Sequence, residues 1–275
     1  MGRQDLADVL DGEMLRRPLP TAAVTALVAW LNGAGARYAV GTGGHAVEYV
    51  PAHWSAIEPW PARLAERACA QICTVSRERV VAAVGETLAR EDWAEALVAS
   101  YVWGQGRTGY GPYRLKEILG TSGVGDVLAQ AGHALREEGA VGAYRVLNGA
   151  VQGLGPAFFT KYLYFLDAGM DGQRAPQALI LDQRIARILR AYATRVGLDM
   201  GLQSALSVAA WIWSDGGWTP HRYGVYVQWM TAATGHLAST GSGWPSGCAD
   251  LLELAFFSGA WDPAADGPIE GLSDA

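Results

Sequence analysis

The chain has 275 residues, half of them hydrophobic and 17% charged, an ordinary globular composition that can bury a core as one large or two smaller domains. A net charge of −6 taken alone argues against a nucleic-acid partner, and three cysteines, Cys69, Cys73 and Cys248, supply too few ligands for a zinc site. The start lacks a basic-then-apolar leader, and no run of about 18 uncharged apolar residues occurs, so the chain reads as a soluble, cytoplasmic protein with no membrane partner.

Residues 1–60 read as an irregular extension with short helical runs such as "TAAVTALVAWL". The alternation in "YAVGTGGHAVEYV" suits a short hairpin or an extended arm. From Arg63 the pattern becomes helical: "RLAERACAQICTV", "SRERVVAAVGETLA" and "EDWAEALVASYVWG" each repeat apolar residues at three- and four-residue spacing. Cys69 and Cys73 would then share a helix face as buried free thiols. Ser76, and Glu91 with Asp92, look like helix starts. "GQGRTGYGPYR", Gly104 to Arg114, reads as a loop because it holds four glycines and a proline.

Helices are expected at about 115–119, 124–138, 140–150, 157–167, 183–196, 202–213 and 222–238, with a last one in "CADLLELAFFSG". An acidic tail from about Trp261 reads as flexible. The domain reading is therefore 1–60 irregular, 61–260 helical and 261–275 tail, and the fold class is an all-α bundle with room for two helical subdomains.

Two stretches carry chemistry. In "VQGLGPAFFTKYLYF" a Gly-x-Gly turn lets two helices meet sharply and leaves backbone N–H groups bare at the start of the second, a ready anion site. Pro156 suits that first helical turn, and the bland alternative is a plain helix cap. In "ALILDQRIARILR" an apolar run ends in Asp182, at an N-cap position. A carboxylate fixed at a helix start can also face a reacting centre. From Arg174 to Arg195 five arginines meet one acid. That suits a patch of phosphates, while the blander reading, which charge alone favours, is a solvated helix face whose arginines pair with nearby acids.

A G-x-G turn followed by a helix, then an apolar segment ending in Asp before another helix, resembles the helix-hairpin-helix DNA glycosylases. "GLGPAFFTKYLYF" with "LILDQRIARIL" is most similar to the 8-oxoguanine branch, over roughly Tyr144 to Arg190. The resemblance implies base removal from double-stranded DNA that carries a damaged or modified base. Asp182 would stabilise positive charge on the deoxyribose as the N-glycosidic bond breaks. Gly153, Leu154 and Gly155 would cradle a phosphate, with Arg184, Arg187 and Arg190 as backbone contacts. No cofactor is required, although in the family this turn often also binds a monovalent cation.

Family members that also cut the backbone carry a lysine two residues after the second glycine. Here Ala157 stands there, and Lys161 lies one helical turn further on. Lys161 is thus a displaced Schiff-base nucleophile, a phosphate or base contact, or a lysine snorkelling at the rim of Phe158, Tyr162 and Phe165. The preferred version is base removal without strand cleavage.

A flipped base needs stacking faces and polar edges. Trp103, Tyr110, Tyr113 and Phe158 could supply the faces, Gln105 an edge, and Arg107 and Arg114 phosphate contacts. Tyr223, Val227 and Met230 read as core, and His45, His53, His133 and His236 show no metal-ligand spacing. Three alternatives stay open: a non-catalytic DNA-binding module, a glycosylase acting on modified bases in foreign DNA, and an all-α interaction domain with no nucleic-acid partner.

Overall fold

A computed structural model describes residues 2–17, 19–107, 109–170 and 175–265. The fold is mostly helical, with a single two-stranded sheet among the described residues. None of the described helices is long and apolar enough to cross a membrane. The chain forms two compact units. One takes the described residues of Met1–Val40, Asp182–Trp218 and Val225–Ala275; the other takes those of Gly41–Leu181 and Thr219–Gly224.

The second of these units opens with strand β1 (Ala46–Tyr49), which pairs antiparallel with β2 (Cys73–Ser76), placing Ala46 opposite Ser76 and Tyr49 opposite Cys73. Ser76 then caps α3 (Arg77–Leu88) by accepting the Arg79 N–H, and Asp92 caps α4 (Trp93–Gln105) by accepting the Glu95 N–H. The caps supply two amides with the acceptors a helix start otherwise lacks. Helix α4 is buried over almost its whole length, so it carries no polar face. Around it follow α5 (Gly111–Leu119), α6 (Val124–Glu138), α7 (Ala140–Leu147) and α8 (Pro156–Gly169). Tyr144 packs edge-on to Phe159 and flat on Tyr223, with ring centroids 4.8 and 4.4 Å apart.

In the other unit, α1 (Arg3–Arg16), α10 (Ala205–Ile212) and α12 (Ala249–Phe257) pack on α9 (Gln183–Asp199); α2 (Thr21–Asn32) and most of α11 (Pro220–Ser239) complete it. Gly197 lets α9 approach α10 closely, since a Cβ there would sit 2.7 Å from that of Ala205. Tyr192, Trp229, Phe256 and Trp261 form an aromatic cluster, and the Tyr192 hydroxyl donates to the Arg17 carbonyl.

Four expectations need correction. The first 60 residues are not irregular, because they contain α1 and α2. The "RLAERACAQICTV" stretch is not a helix: the Tyr49 hydroxyl accepts the Ala65 N–H, the Cys69 carbonyl accepts that of Ala52, and Cys73–Ser76 pairs with β1. Pairing with a distant strand here outweighs a local helical pattern. Cys69 and Cys73 are consequently half-buried free thiols, Sγ to Sγ 3.7 Å, on non-helical backbone. Gly104 and Gln105 of the expected loop belong to α4, and Gly111–Arg114 belong to α5, because Pro112 falls in the first turn of that helix, where no N–H is needed. Finally, Trp261 is buried; the tail reading for 266–275 lies outside the described residues, as does Arg174.

Candidate active site

The turn between α7 and α8 holds two glycines with different reasons to be there. Gly153 has φ +82°, a left-handed conformation that a side chain would strain. Gly155 has φ −80° and ψ 168°, which any residue adopts, and a Cβ on it would meet nothing within 4 Å. Neither backbone nor packing therefore requires glycine at 155, and open space lies beside the helix start. Leu154 between them is buried and anchors the turn. The Gly155 carbonyl accepts the N–H groups of Phe158 and Phe159 at 2.9 and 3.0 Å, while no side chain caps the helix. Pro156 has no N–H, and the Ala157 N–H at the second helical position has no acceptor within the helix.

Lys161 turns back along α8. Its ammonium donates to the Ala157 carbonyl at 2.5 Å and lies 5.4 Å from the centroid of the Phe158 ring. Helical side chains lean toward the N-terminus, which brings the ammonium of residue 161 to the level of residue 157. Its stem is accommodated by Gly104 on α4, where a Cβ would stand 2.5 Å from Lys161 Cδ. Tyr101 stacks on Phe158 at 4.4 Å. Gly104, Tyr101, Phe158 and Lys161 are thus brought together.

Ahead of Asp182, residues Ala178–Leu181 are buried and extended, outside any sheet. Asp182 then starts α9. Its Oδ1 accepts the N–H groups of Arg184 and Ile185 at 2.9 and 3.0 Å, while Oδ2 makes no hydrogen bond among the described residues. The carboxylate is only partly buried. One oxygen therefore fixes the group and the other remains open to a ligand.

The arginines of α9 divide. Arg184 lies over the Phe257 ring at 5.1 Å. Arg187 pairs with Asp215 at 2.9 Å, Arg190 pairs with the same carboxylate, and Gln183 donates to it at 2.6 Å. Hydrogen bonds from Arg187, Arg190 and Gln183 hold the Asp215 carboxyl well below the usual range. The solvated-face reading thus describes Arg187 and Arg190 in this structure, through an acid that spacing along α9 could not reveal.

The aromatic loop does not gather as one pocket. Trp103 is buried; its indole donates to the His45 carbonyl and its ring packs on Phe165 and His45. Because α4 runs on to Gln105, Trp103 belongs to the core rather than to a loop. Tyr110 and Tyr113 are 76% and 64% exposed, near exposed Arg114 on α5. Gln105 packs against Gly111, and Arg107 pairs with Glu48 at 2.9 Å.

Sequence reasoning missed several residues. Arg77 is 1% exposed, lies within 5.1 and 4.9 Å of the Trp103 and Tyr164 ring centroids, and donates to the Tyr164 hydroxyl. Thr160, Asp167 and Tyr223 each bond the backbone of Ala178–Leu181. Thr160 and Asp167, seven apart on a hydrophobic helix, were the available signal, since polar residues on a buried face need partners. Burial pushes the Asp167 carboxyl up to about 6, against the lowering effect of the Ala178 N–H.

No curated protein and no solved structure matches the chain. A family model does, with the description "Putative 8-oxoguanine DNA glycosylase OGG-like protein" and a match over residues 40–257, which takes in the α7–α8 turn, Lys161, Asp182 and α9. The match covers most of the chain, and the protein belongs to this OGG-like glycosylase family.

Proposed function

We propose that this protein is a DNA glycosylase that removes a damaged or modified base of the 8-oxoguanine type from duplex DNA by breaking its N-glycosidic bond. The observation that carries the reading is Asp182: Oδ1 is held by two helix amides while Oδ2 makes no hydrogen bond among the described residues. In the reaction the bond between sugar C1′ and the base nitrogen breaks, and its electrons leave with the base, which takes up a proton. Water adds to C1′ and loses a proton. Positive charge builds on the sugar as the bond lengthens, and a fixed carboxylate stabilises it without reorganising. Asp182 has that role and also orients the water.

The start of α8 receives a DNA phosphate. Gly155 supports this, because neither its backbone nor its packing explains the missing side chain, whereas close approach of a ligand to the backbone does. A monovalent cation at the same turn is compatible with this role. Arg184, Arg107 and Arg114 serve as backbone contacts, and Arg187 and Arg190 become available when phosphate competes with Asp215. Phe158, Tyr110 and Tyr113 offer faces and Gln105 an edge to an extruded base, whose removal from the stack costs a few kcal/mol. Lys161 is engaged with the Ala157 carbonyl, which supports base removal without strand cleavage.

The test is incubation with a duplex carrying 8-oxoguanine, analysed with and without hot alkali and with borohydride trapping. Alkali-labile sites without a trapped adduct are expected. A trapped adduct lost in Lys161→Ala would make Lys161 a nucleophile, and absence of both signals across a panel of modified bases would favour a DNA-binding module.

A further inference from the structure

A buried extended segment outside a sheet must find partners for its backbone N–H and C=O groups. In Ala178–Leu181 three side chains provide partners for Ala178, Leu179 and Leu181. Asp167 Oδ2 accepts the Ala178 N–H at 2.8 Å. The Tyr223 hydroxyl accepts the Leu179 N–H at 3.1 Å and donates to the Leu179 carbonyl at 3.0 Å, as a neighbouring strand would. The Thr160 hydroxyl accepts the Leu181 N–H at 3.1 Å, and two acceptors lie within its reach as a donor, the Pro156 carbonyl at 2.7 Å and the Leu181 carbonyl at 3.3 Å. Leu181 is the residue immediately before Asp182.

We infer that Thr160 and Tyr223 are positioning residues for the reaction at Asp182: their hydroxyls hold Leu179 and Leu181 in one extended conformation and so fix the point from which the Asp182 carboxylate leaves the chain. The inference rests on the role proposed for Asp182. Packing alone does not account for these side chains, because valine at 160 and phenylalanine at 223 would fill nearly the same volume. Both hydroxyls are buried, and each acts as donor and acceptor toward the segment. An apolar isostere would leave a buried amide unpaired, a penalty that favours departure of the segment from its extended conformation. Helix α9 would keep its cap while the position of the carboxylate became less defined.

The experiment compares wild type, Thr160→Val, Thr160→Ser and Tyr223→Phe on a duplex carrying 8-oxoguanine. Three quantities are read: duplex affinity, single-turnover release of the base at saturating protein, and amide hydrogen exchange over residues 178–185. Thr160→Val and Tyr223→Phe should each slow release about tenfold, leave affinity within about twofold, and speed exchange of the segment about tenfold. Thr160→Ser, which keeps the hydroxyl, should restore release and protection. If Thr160→Val fails to fold, Tyr223→Phe makes the same comparison. Faster exchange with unchanged release overturns the positioning role alone. Slower release in Thr160→Ser equal to that in Thr160→Val also overturns it. Absence of release from wild type overturns the role of Asp182 and this inference with it.

Discussion

Helices α8 and α9 begin in opposite ways. At α8 the residue before the first turn is glycine, no side chain caps the helix, and a Cβ there would meet open space. At α9 the residue is aspartate, whose carboxylate accepts two of the first amides. The backbone at both caps is extended, φ −80° and −126°, so conformation does not separate them. A single side chain decides whether a helix start receives an anion from outside or holds one of its own. The first arrangement suits a phosphate receptor, the second a fixed catalytic carboxylate.

Breaking the second start should have the largest effect. Asp182→Asn keeps a good N-cap, so the thermal midpoint should move little, while base release should fall about 100- to 1000-fold, the usual scale for one preorganised electrostatic contact. Single-turnover kinetics beside a melting curve read both. Converting the first start into a copy of the second is the next step. Gly155→Asp fits the observed backbone and would cap α8, so stability should hold or rise by a few tenths of a kcal/mol. Its charge would repel phosphate, and duplex affinity should fall about tenfold, as a filter-binding titration would show.

A pH effect sharpens the account of the segment before Asp182. The Asp167 carboxyl is raised in the folded protein to about 6 from the ordinary 3.8. The stability linked to its proton is therefore fully present below pH 3.8 and is lost as pH rises through about 6. Asp167→Asn should remove that dependence and lower the unfolding free energy at pH 4 relative to that at pH 8 by about 2 kcal/mol, at about 1.4 kcal/mol per pKa unit. Denaturant titrations at the two pH values measure it. The smallest effect belongs to Asp215→Asn, which frees Arg187 and Arg190 from their ion pairs. Duplex affinity at low salt should rise by about two- to threefold, with a steeper dependence on salt concentration.

The two helix starts were legible in the sequence because they rest on local chemistry: Gly-Pro at one, an acid after an apolar run at the other. Most helices were legible for the same reason, through apolar spacing and caps such as Ser76 and Asp92. The stretch around Cys69 was not, since its spacing fits a helix while its structure depends on β1 and Tyr49, more than 15 residues away. Pro112 beside four glycines reads as a breaker, although the first turn of a helix tolerates it. Trp103 reads as a pocket face because it adjoins a glycine-rich loop, whereas α4 turns it into the core. For the side chains holding Ala178–Leu181, the polar positions Thr160 and Asp167 on a hydrophobic helix signal a need for partners, but not which partners, because each bond joins residues 11 to 44 positions apart.

The most direct measurement takes wild type, Asp182→Asn and Gly155→Asp on one 8-oxoguanine duplex and reads affinity and free-base release by mass spectrometry in the same samples. A split is expected: Asp182→Asn binds as wild type but releases almost no base, whereas Gly155→Asp binds weakly and recovers release at saturating protein. Release by Asp182→Asn at the wild-type rate, or equal loss of binding and release in both variants, would contradict it.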